Sequence, residues 1–221
     1  MQERIPETIE ARVVKIVEEF GFEKIEGNLD LRQYLNEEVI KFLYTLKDTG
    51  LVVFHGTNSE ERFDTLHTRQ ANDSAKESGN KKAVYADAGI IAPLGLAILN
   101  RLYVRSKFRG FVFGWTSDDK GKRIFKLSSN IFELFKSKDP NLFSDGYLYA
   151  LDKSRFSNAE DAGAEWHSET DQKPILSCRV SRNLAETVFV INQGEEDTVF
   201  EYTPEEIKDM AESPVKKDSD V

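Results

Sequence analysis

Cysteine and histidine are scarce in this chain. One cysteine, Cys178, occurs among 221 residues, so no internal disulfide bond can form and a reducing compartment is favoured. The three histidines are His55, His67 and His167, and none of them falls in an HExxH motif or at a close Cys/His spacing. We therefore expect no structural or catalytic zinc site.

Long apolar runs and an excess of positive charge are also missing. No stretch approaches about 18 consecutive apolar residues, the length needed to cross a bilayer. Residues 1–20 carry charges throughout, which predicts that they are not a signal peptide. The formal net charge is −9, opposite in sign to that of a typical non-specific nucleic-acid binder. These absences predict a cytoplasmic protein with no membrane partner and no strong nucleic-acid signal.

Three widespread nucleotide-binding and catalytic motifs are absent as well. The chain has no GxxxxGK[ST] loop, no GxGxxG after a predicted strand and no GxSxG elbow. These absences argue against a P-loop, a Rossmann dinucleotide site and an α/β-hydrolase nucleophile. Cys178 lies within an apolar strand pattern, and we expect a small core residue there rather than a nucleophile.

The overall composition is that of a folded globular protein, with 39% hydrophobic and 31% charged residues. A chain of this length can bury about 70% of its unfolded surface, so a core can form without disulfide bonds or metals. Helical periodicity predicts helices over residues 6–20 and 31–47, which we assign to an N-terminal helical appendage, residues 1–48. The main domain is expected over residues 49–212, with a flexible tail over residues 213–221.

The main domain contains short apolar segments typical of strands, separated by turn residues. Strands are predicted at residues 51–54, 83–86, 111–115, 123–127, 146–151, 174–181, 186–192 and 198–202. Helices are predicted at about 59–65, at about 88–104 and from Thr203, and the polar stretch 68–82 is expected to be a surface loop. Helices at the start and mostly strands afterwards indicate an α+β fold rather than an alternating α/β sheet.

The first of these strands runs into the tripeptide His55-Gly56-Thr57. A histidine at a strand end can direct a ring nitrogen toward a ligand, and a glycine lets a planar group approach the backbone closely. Thirty residues later, Tyr85 stands at the end of another predicted strand, just before a helix. A nucleotide pocket in a split sheet needs two strands that each place such a residue at the strand end.

The stretches VVFHGTNSEERFDTL and KKAVYADAGIIAPLGLAIL together resemble the ADP-ribosyltransferase superfamily. They are similar to the branch that includes diphtheria toxin, the poly(ADP-ribose) polymerases and the rifampicin-inactivating transferases. That branch has a strand with H-G-[ST], a short helix, a second strand with Y-A and a helix with alanines, in this order. The resemblance covers residues 51–104 well and continues loosely to residue 192, whereas residues 1–45 lie outside it.

The resemblance implies a split antiparallel β-sheet core, formed by two packed sheets, with NAD bound as the substrate in the cleft between them. His55 would hydrogen-bond a hydroxyl of one NAD ribose, and Gly56 would pair its backbone with the nicotinamide amide. Thr57 would help to hold a ribose hydroxyl, and Tyr85 would stack on the nicotinamide ring.

The same resemblance implies an acidic residue on a later strand. A fixed carboxylate favours the positive charge that develops on the ribose as nicotinamide leaves, because that charge exists only in the transition state. Glu165 is our first choice, since it precedes an aromatic residue at an expected strand start. Glu169, Glu160 and Asp161 are the alternatives.

The expected activity is transfer of ADP-ribose from NAD to an acceptor, which the sequence does not identify. Three other hypotheses stay open: an NAD glycohydrolase with water as the acceptor, an inactive member that binds NAD or a protein, and an unrelated α+β domain. Trp115 and Trp166 are expected to pack in the core, and Arg69 is expected to be solvated, although it could meet the pyrophosphate charge of NAD.

Overall fold

The computed structural model describes residues 7–25, 27–70, 81–108, 113–117, 123–158, 165–189, 199–201 and Thr203. Within these residues, the helices are α1 (Ile9–Glu19), α2 (Asn36–Asp48), α3 (Ile91–Ile98), α4 (Arg101–Lys107), α5 (Ser129–Lys136) and α6 (Leu184–Val188). None of these helices has the length and apolar character of a membrane span in the part of the chain that is described.

The strands are short, and most of them are buried on at least one face. They are β1 (Lys24–Ile25), β2 (Asn28–Asp30), β3 (Val52–Thr57), β4 (Arg69–Gln70), β5 (Lys82–Asp87), β6 (Phe113–Ser117), β7 (Arg123–Leu127), β8 (Gly146–Asp152), β9 (Ser157–Asn158), β10 (Glu165–Ser168), β11 (Leu176–Val180) and β12 (Val199–Glu201).

Nine of these strands form one sheet in the order β1-β2-β11-β8-β3-β5-β10-β9, with β4 paired to β5. The pairs are antiparallel except for β2 with β11. A second, three-stranded sheet has the order β12-β7-β6. A mostly antiparallel sheet covered by helices confirms the α+β class predicted from the sequence.

The helices of the predicted N-terminal appendage, residues 1–48, share their core with the main sheet. Val13 of α1 and Phe42 of α2 belong to the same cluster of buried apolar residues as Leu148 of β8 and Cys178 of β11. In addition, β2 pairs directly with β11. Burying a side chain such as Phe42, which is 0% exposed, stabilises the fold by about 1.5–3 kcal/mol.

Helix α3 lies directly on β3 and β8, which positions it over the strand that carries His55. The approach depends on glycine in both strands. A Cβ atom on Gly56 would overlap the carbonyl of Pro93, and one on Gly146 would overlap the carbonyl of Ala97. Bare backbone at these two points therefore sets the distance between helix and sheet.

Two helix predictions in the main domain need correction. The helix predicted over residues 59–65 is wrong, because this stretch forms bends held by the sheet, where the amide of Phe63 donates to the Tyr149 hydroxyl at 2.9 Å. The helix predicted over residues 88–104 is divided into α3 and α4. Between them Leu99 bridges to Phe143, and the Asn100 side chain then caps α4.

Two further elements differ from the sequence-based expectation. Residues Leu184–Val188 form helix α6, where a strand was predicted over 186–192. The alternation of apolar residues there resembles a strand, but the adjacent residues Leu184 and Ala185 are both buried in the helix. Helix α5 was not predicted, although Ile131, Leu134 and Phe135 have helical spacing. The predicted tail, residues 213–221, lies outside the described residues.

Candidate functional site

Strands β3 and β5 meet at a single position and then diverge. Strand β3 pairs with β8 at every residue from Val52 to Thr57. With β5 it forms one registered pair, Phe54 with Asp87. Beyond that pair, the His55 ring takes the place of a backbone ladder bond, with Nδ1 at 2.6 Å from the carbonyl of Tyr85. In the described register, β3 and β5 are thus joined by one backbone pair and one side chain.

A cavity of about 140 Å³ lies at this divergence. Its polar wall comes from three strands and consists of His55, Tyr85, Asp87 and Glu165. Its apolar wall comes mainly from α3 and includes Ala92, Pro93 and Leu96. Pockets that enclose a whole drug-sized ligand measure roughly 300–1,000 Å³, so this cavity has room for one small ring system and not for a dinucleotide.

His55 has a defined tautomer and charge. A backbone carbonyl only accepts hydrogen bonds, so Nδ1 must carry the proton that it donates to Tyr85. Burial lowers the pKa of His55, and the positive charges of Arg69 and Arg101 lower that pKa further. The ring is therefore neutral near pH 7, and its Nε2 atom is a hydrogen-bond acceptor.

The lowered pKa of His55 predicts a pH-dependent stability. The unfolded imidazole titrates near 6.5 and the folded one below that value. Between the two values the unfolded state binds more protons, so the free energy of unfolding decreases as pH falls below about 6.5 and levels off below the folded pKa. Between about pH 7.5 and 5.5 this contribution is at most about 1.4 kcal/mol. We expect urea unfolding to show this extra loss in the wild type and not in His55→Gln.

The comparison isolates His55 because the variant keeps His67, His167 and all the carboxylates. Glutamine also retains a donor for the Tyr85 carbonyl. Wild-type and variant curves of unfolding free energy against pH that run parallel over this interval would contradict a lowered pKa at His55.

Tyr85 presents its ring to the cavity while its hydroxyl is held by the backbone. The hydroxyl donates to the carbonyl of Lys81 at 2.9 Å and accepts from the amide of the same residue at 3.0 Å. The ring centroid lies 6.5 Å from that of His167 on β10. These contacts hold the ring in place beside the cavity.

Glu165 and Asp87 bring two carboxylates to the same cavity. Glu165 is the first residue of β10 and lies opposite Asp87 in the register with β5. Its backbone carbonyl accepts a hydrogen bond of 2.8 Å from the Asn158 side chain, which anchors the strand start. The structure therefore brings together His55, Tyr85 and Glu165, residues that lie far apart in sequence.

The alternative carboxylates are placed differently. Glu169 is exposed, forms an ion pair of 3.3 Å with Lys81 and does not line the cavity. Glu160 and Asp161 lie outside the described residues.

Asp87 is a cavity residue that sequence reasoning missed. It is 4% exposed, and its Oδ1 atom accepts a hydrogen bond of 2.6 Å from the amide of Gly89. In the sequence it directly follows Tyr85-Ala86 and stands between the predicted strand, 83–86, and the predicted helix, about 88–104. The signal that could have identified it is its separation by two positions from Tyr85, because residues i and i+2 share a strand face.

Arg69 and Arg101 lie close enough to His55 to affect its pKa, and Arg105 lies close enough to Arg101 to affect that of Arg101. We call these three arginines the basic cluster, and only Arg69 was singled out from the sequence. Burial, Arg105 and Arg69 each lower the pKa of Arg101, and Arg69 and Arg101 both lower that of His55. Arg69 is exposed and Arg101 is half-buried. Among the described residues no carboxylate forms an ion pair with any of the three. A group of like charges without a counter-ion is suited to an anionic ligand.

The remaining candidates lie away from the cavity. Thr57 is paired with Tyr147 on β8 and does not line it. Trp166 packs under the Lys153 ammonium at 4.5 Å, and the side chain of Trp115 is outside the described part. Cys178 is a buried core residue, as predicted, and this burial raises the pKa of its thiol to about 12.

Two further findings complete the description of the site. Among the described residues, no group of histidine, cysteine and acidic side chains is arranged to hold a metal ion. Comparison of the chain with family models, with curated proteins and with solved structures finds no match.

Proposed function

We propose that this protein is an NAD-dependent ADP-ribosyltransferase that cleaves the bond between nicotinamide and ribose and transfers ADP-ribose to an acceptor. One observation carries the proposal: β3, β5 and β10 converge on a ring-sized cavity lined by His55, Gly56, Tyr85 and Glu165. The near-separation of the sheet between β3 and β5 supports an ADP-ribosyltransferase-like fold as part of the same proposal.

The cavity is suited to the nicotinamide end of NAD. Its volume of about 140 Å³ fits a single heteroaromatic ring, and Tyr85 supplies an aromatic wall. The Gly56 backbone forms another part of the lining, next to Pro93 of α3, whose carbonyl occupies the place that a Cβ atom would take. The rest of a dinucleotide would have to lie outside the cavity.

His55 would position the ribose next to that ring. Its unprotonated Nε2 atom accepts a hydrogen bond, and a sugar hydroxyl can donate one. A protonated imidazole could only donate, so the lowered pKa of His55 keeps the ring in the form that this role requires.

Glu165 would stabilise the charge that develops on the ribose. When the bond between the ribose C1′ atom and the nicotinamide nitrogen breaks, its electron pair leaves with neutral nicotinamide and positive charge builds on the sugar. A carboxylate fixed at the start of β10 attracts that charge without having to reorganise. The attraction is stronger in the transition state than in the bound substrate, so it accelerates cleavage.

The basic cluster would face the pyrophosphate of NAD. Arg69 and Arg101 lower the pKa of His55, and Arg105 and Arg69 lower that of Arg101. Guanidinium groups form paired hydrogen bonds with phosphate oxygens, which makes arginine the usual partner of such groups.

The reaction would be completed either by a nucleophile of the unidentified acceptor or by a water molecule. An NAD glycohydrolase, in which water is the acceptor, would therefore use the same residues.

The experiment that tests the proposal measures nicotinamide release from NAD by the purified protein, beside Tyr85→Phe and Tyr85→Ala. Stacking on an aromatic side chain contributes about 1–3 kcal/mol, so we expect Tyr85→Ala to weaken NAD binding roughly 10- to 100-fold. Tyr85→Phe keeps the ring and loses the hydrogen bonds to Lys81, so we expect NAD binding within about threefold of wild type.

Calorimetric titration with NAD separates binding from cleavage in the same samples. A wild-type protein that neither releases nicotinamide nor binds NAD would overturn the proposed function. Equal binding by Tyr85→Ala and the wild type would remove Tyr85 from the ring site.

A further inference from the structure

A second and larger cavity lies between the end of α5, the following connection to β8 and helix α6. It has a volume of about 620 Å³, within the range of roughly 300–1,000 Å³ found for small-molecule sites. No residue of this cavity lines the one at His55. Helix α3 lies between the two, because Pro93 contributes to the first while Gly95 packs against Phe189, a wall of the second.

The floor of the larger cavity is aromatic. The ring of Phe143 packs edge-on against Phe135 with centroids 5.9 Å apart, and it stacks on Phe189 at 6.2 Å. Phe189 is 3% exposed and stacks in turn on Phe125 of the core. A planar apolar group entering the cavity would therefore meet rings that are already held in place, at little cost in side-chain entropy.

The rim carries more available positive charge than negative charge. Lys138 and Arg182 are exposed, and neither forms an ion pair with a carboxylate in the described ranges. One Arg182 nitrogen donates to the Pro140 carbonyl at 3.2 Å, which holds the guanidinium at the rim. The Asp139 carboxylate is already engaged by Tyr103, Lys107 and the amide of Asn141.

Glu186 is the other carboxylate of the lining, and it is exposed. Leaving aside the engaged Asp139, and Lys136, which is paired with Glu133, the basic residues Lys138 and Arg182 outnumber it. The net charge of these rim residues is therefore opposite in sign to that of the whole chain, which has a formal net charge of −9. Charge complementarity thus favours an anion at this rim over a cation.

We propose that this cavity binds a small organic anion with an aromatic body, whose ring lies on Phe143 and Phe189 and whose anionic group faces Arg182 and Lys138. The site is separate from the proposed NAD site and does not depend on that function.

The test uses the full chain and a pair of fluorescent probes. 8-Anilinonaphthalene-1-sulfonate has an aromatic body and a sulfonate, and N-phenyl-1-naphthylamine has the same rings without the charge. In the double variant Arg182→Gln/Lys138→Gln we expect the sulfonate probe to bind roughly three- to tenfold more weakly, as for the loss of exposed charge pairs. We expect the neutral probe to bind within twofold of wild type.

Two controls complete the design. Lys24→Gln removes an exposed charge on β1, outside this cavity, and should leave both probes unaffected. Phe143→Leu keeps an apolar side chain but removes the stacking ring, and should weaken both probes while circular dichroism shows the fold retained. Unchanged sulfonate affinity in the double variant, or equal losses for the two probes, would overturn the proposal. Concentration-dependent dimerisation that excludes the sulfonate probe would overturn it too, in favour of a second copy as the occupant.

Discussion

Replacing Glu165 with Gln should lower the rate of nicotinamide release roughly 10²–10³-fold, the usual cost of removing one preorganised electrostatic group from an active site. Glutamine keeps the shape of the side chain and removes the negative charge that would face the developing positive charge on the ribose. Because this attraction is weak in the ground state, the dissociation constant for NAD should stay within about threefold of wild type. The measurements are single-turnover nicotinamide release by chromatography and calorimetric titration with NAD.

The matched control is Glu169→Gln. Glu169 lies four residues further along the chain, is exposed and is paired with Lys81 outside the cavity. We expect release within twofold of wild type in this variant. The buried carboxylate opposite Glu165 provides a second comparison, Asp87→Asn. Full release by Glu165→Gln together with loss in Asp87→Asn would contradict the assignment and transfer the electrostatic role to Asp87.

The parts of the site that could be predicted from the sequence are those with strong local signals. His55-Gly56 and Tyr85 stand at the ends of apolar runs with strand composition, and the structure places both on neighbouring strands. Glu165 was chosen because it precedes an aromatic residue at a strand start, and it is the first residue of β10. The strand positions of these residues needed only their neighbours in the chain, whereas the search for an acidic residue came from the family resemblance.

The parts that could not be predicted depend on tertiary pairing. Nothing near Asp87 in the sequence shows that β10 will place Glu165 opposite it, since register is set by the packing of whole strands. The approach of Arg101 to His55 likewise depends on the break between α3 and α4, which is held by a bridge from Leu99 to Phe143. Helix α6 was mistaken for a strand because its apolar run is short, and short apolar runs do not distinguish the two periods.

The position of the cavity depends on one backbone pair of the main sheet. Because β3 and β5 share only the pair Phe54–Asp87, the space beyond it would be an unpaired gap in the sheet. The His55 side chain occupies part of that gap through its bond to Tyr85, and α3 covers it on one side. The helix can come this close only because residue 56 has no side chain, so the shape of the cavity should be sensitive to any atom added there.

We therefore expect Gly56→Ala to be the most destabilising small substitution in the site. Its Cβ atom would overlap the carbonyl of Pro93 and lie 3.0 Å from the amide of Ala97, both of which are backbone atoms of α3. Neither can rotate away as a side-chain end would, so the helix must shift as a unit. The free energy of unfolding should fall by about 3 kcal/mol, at the upper end of the range for overpacking a core. Equilibrium urea unfolding followed by circular dichroism measures this loss.

Gly27→Ala separates steric overlap from the general cost of replacing a glycine. Gly27 has a φ angle of +78°, and an added Cβ would meet no atom within 4 Å apart from those of its chain neighbours, so its substitution costs only backbone strain, about 1–2 kcal/mol. At Gly56 the larger loss would arise from helix displacement, and the cavity lining would move with Pro93 and Leu96. NAD binding should therefore weaken in Gly56→Ala under conditions where the variant is still folded, and stay unchanged in Gly27→Ala. Equal losses of stability in the two variants would mean that α3 does not lie as close to β3 as Gly56 permits.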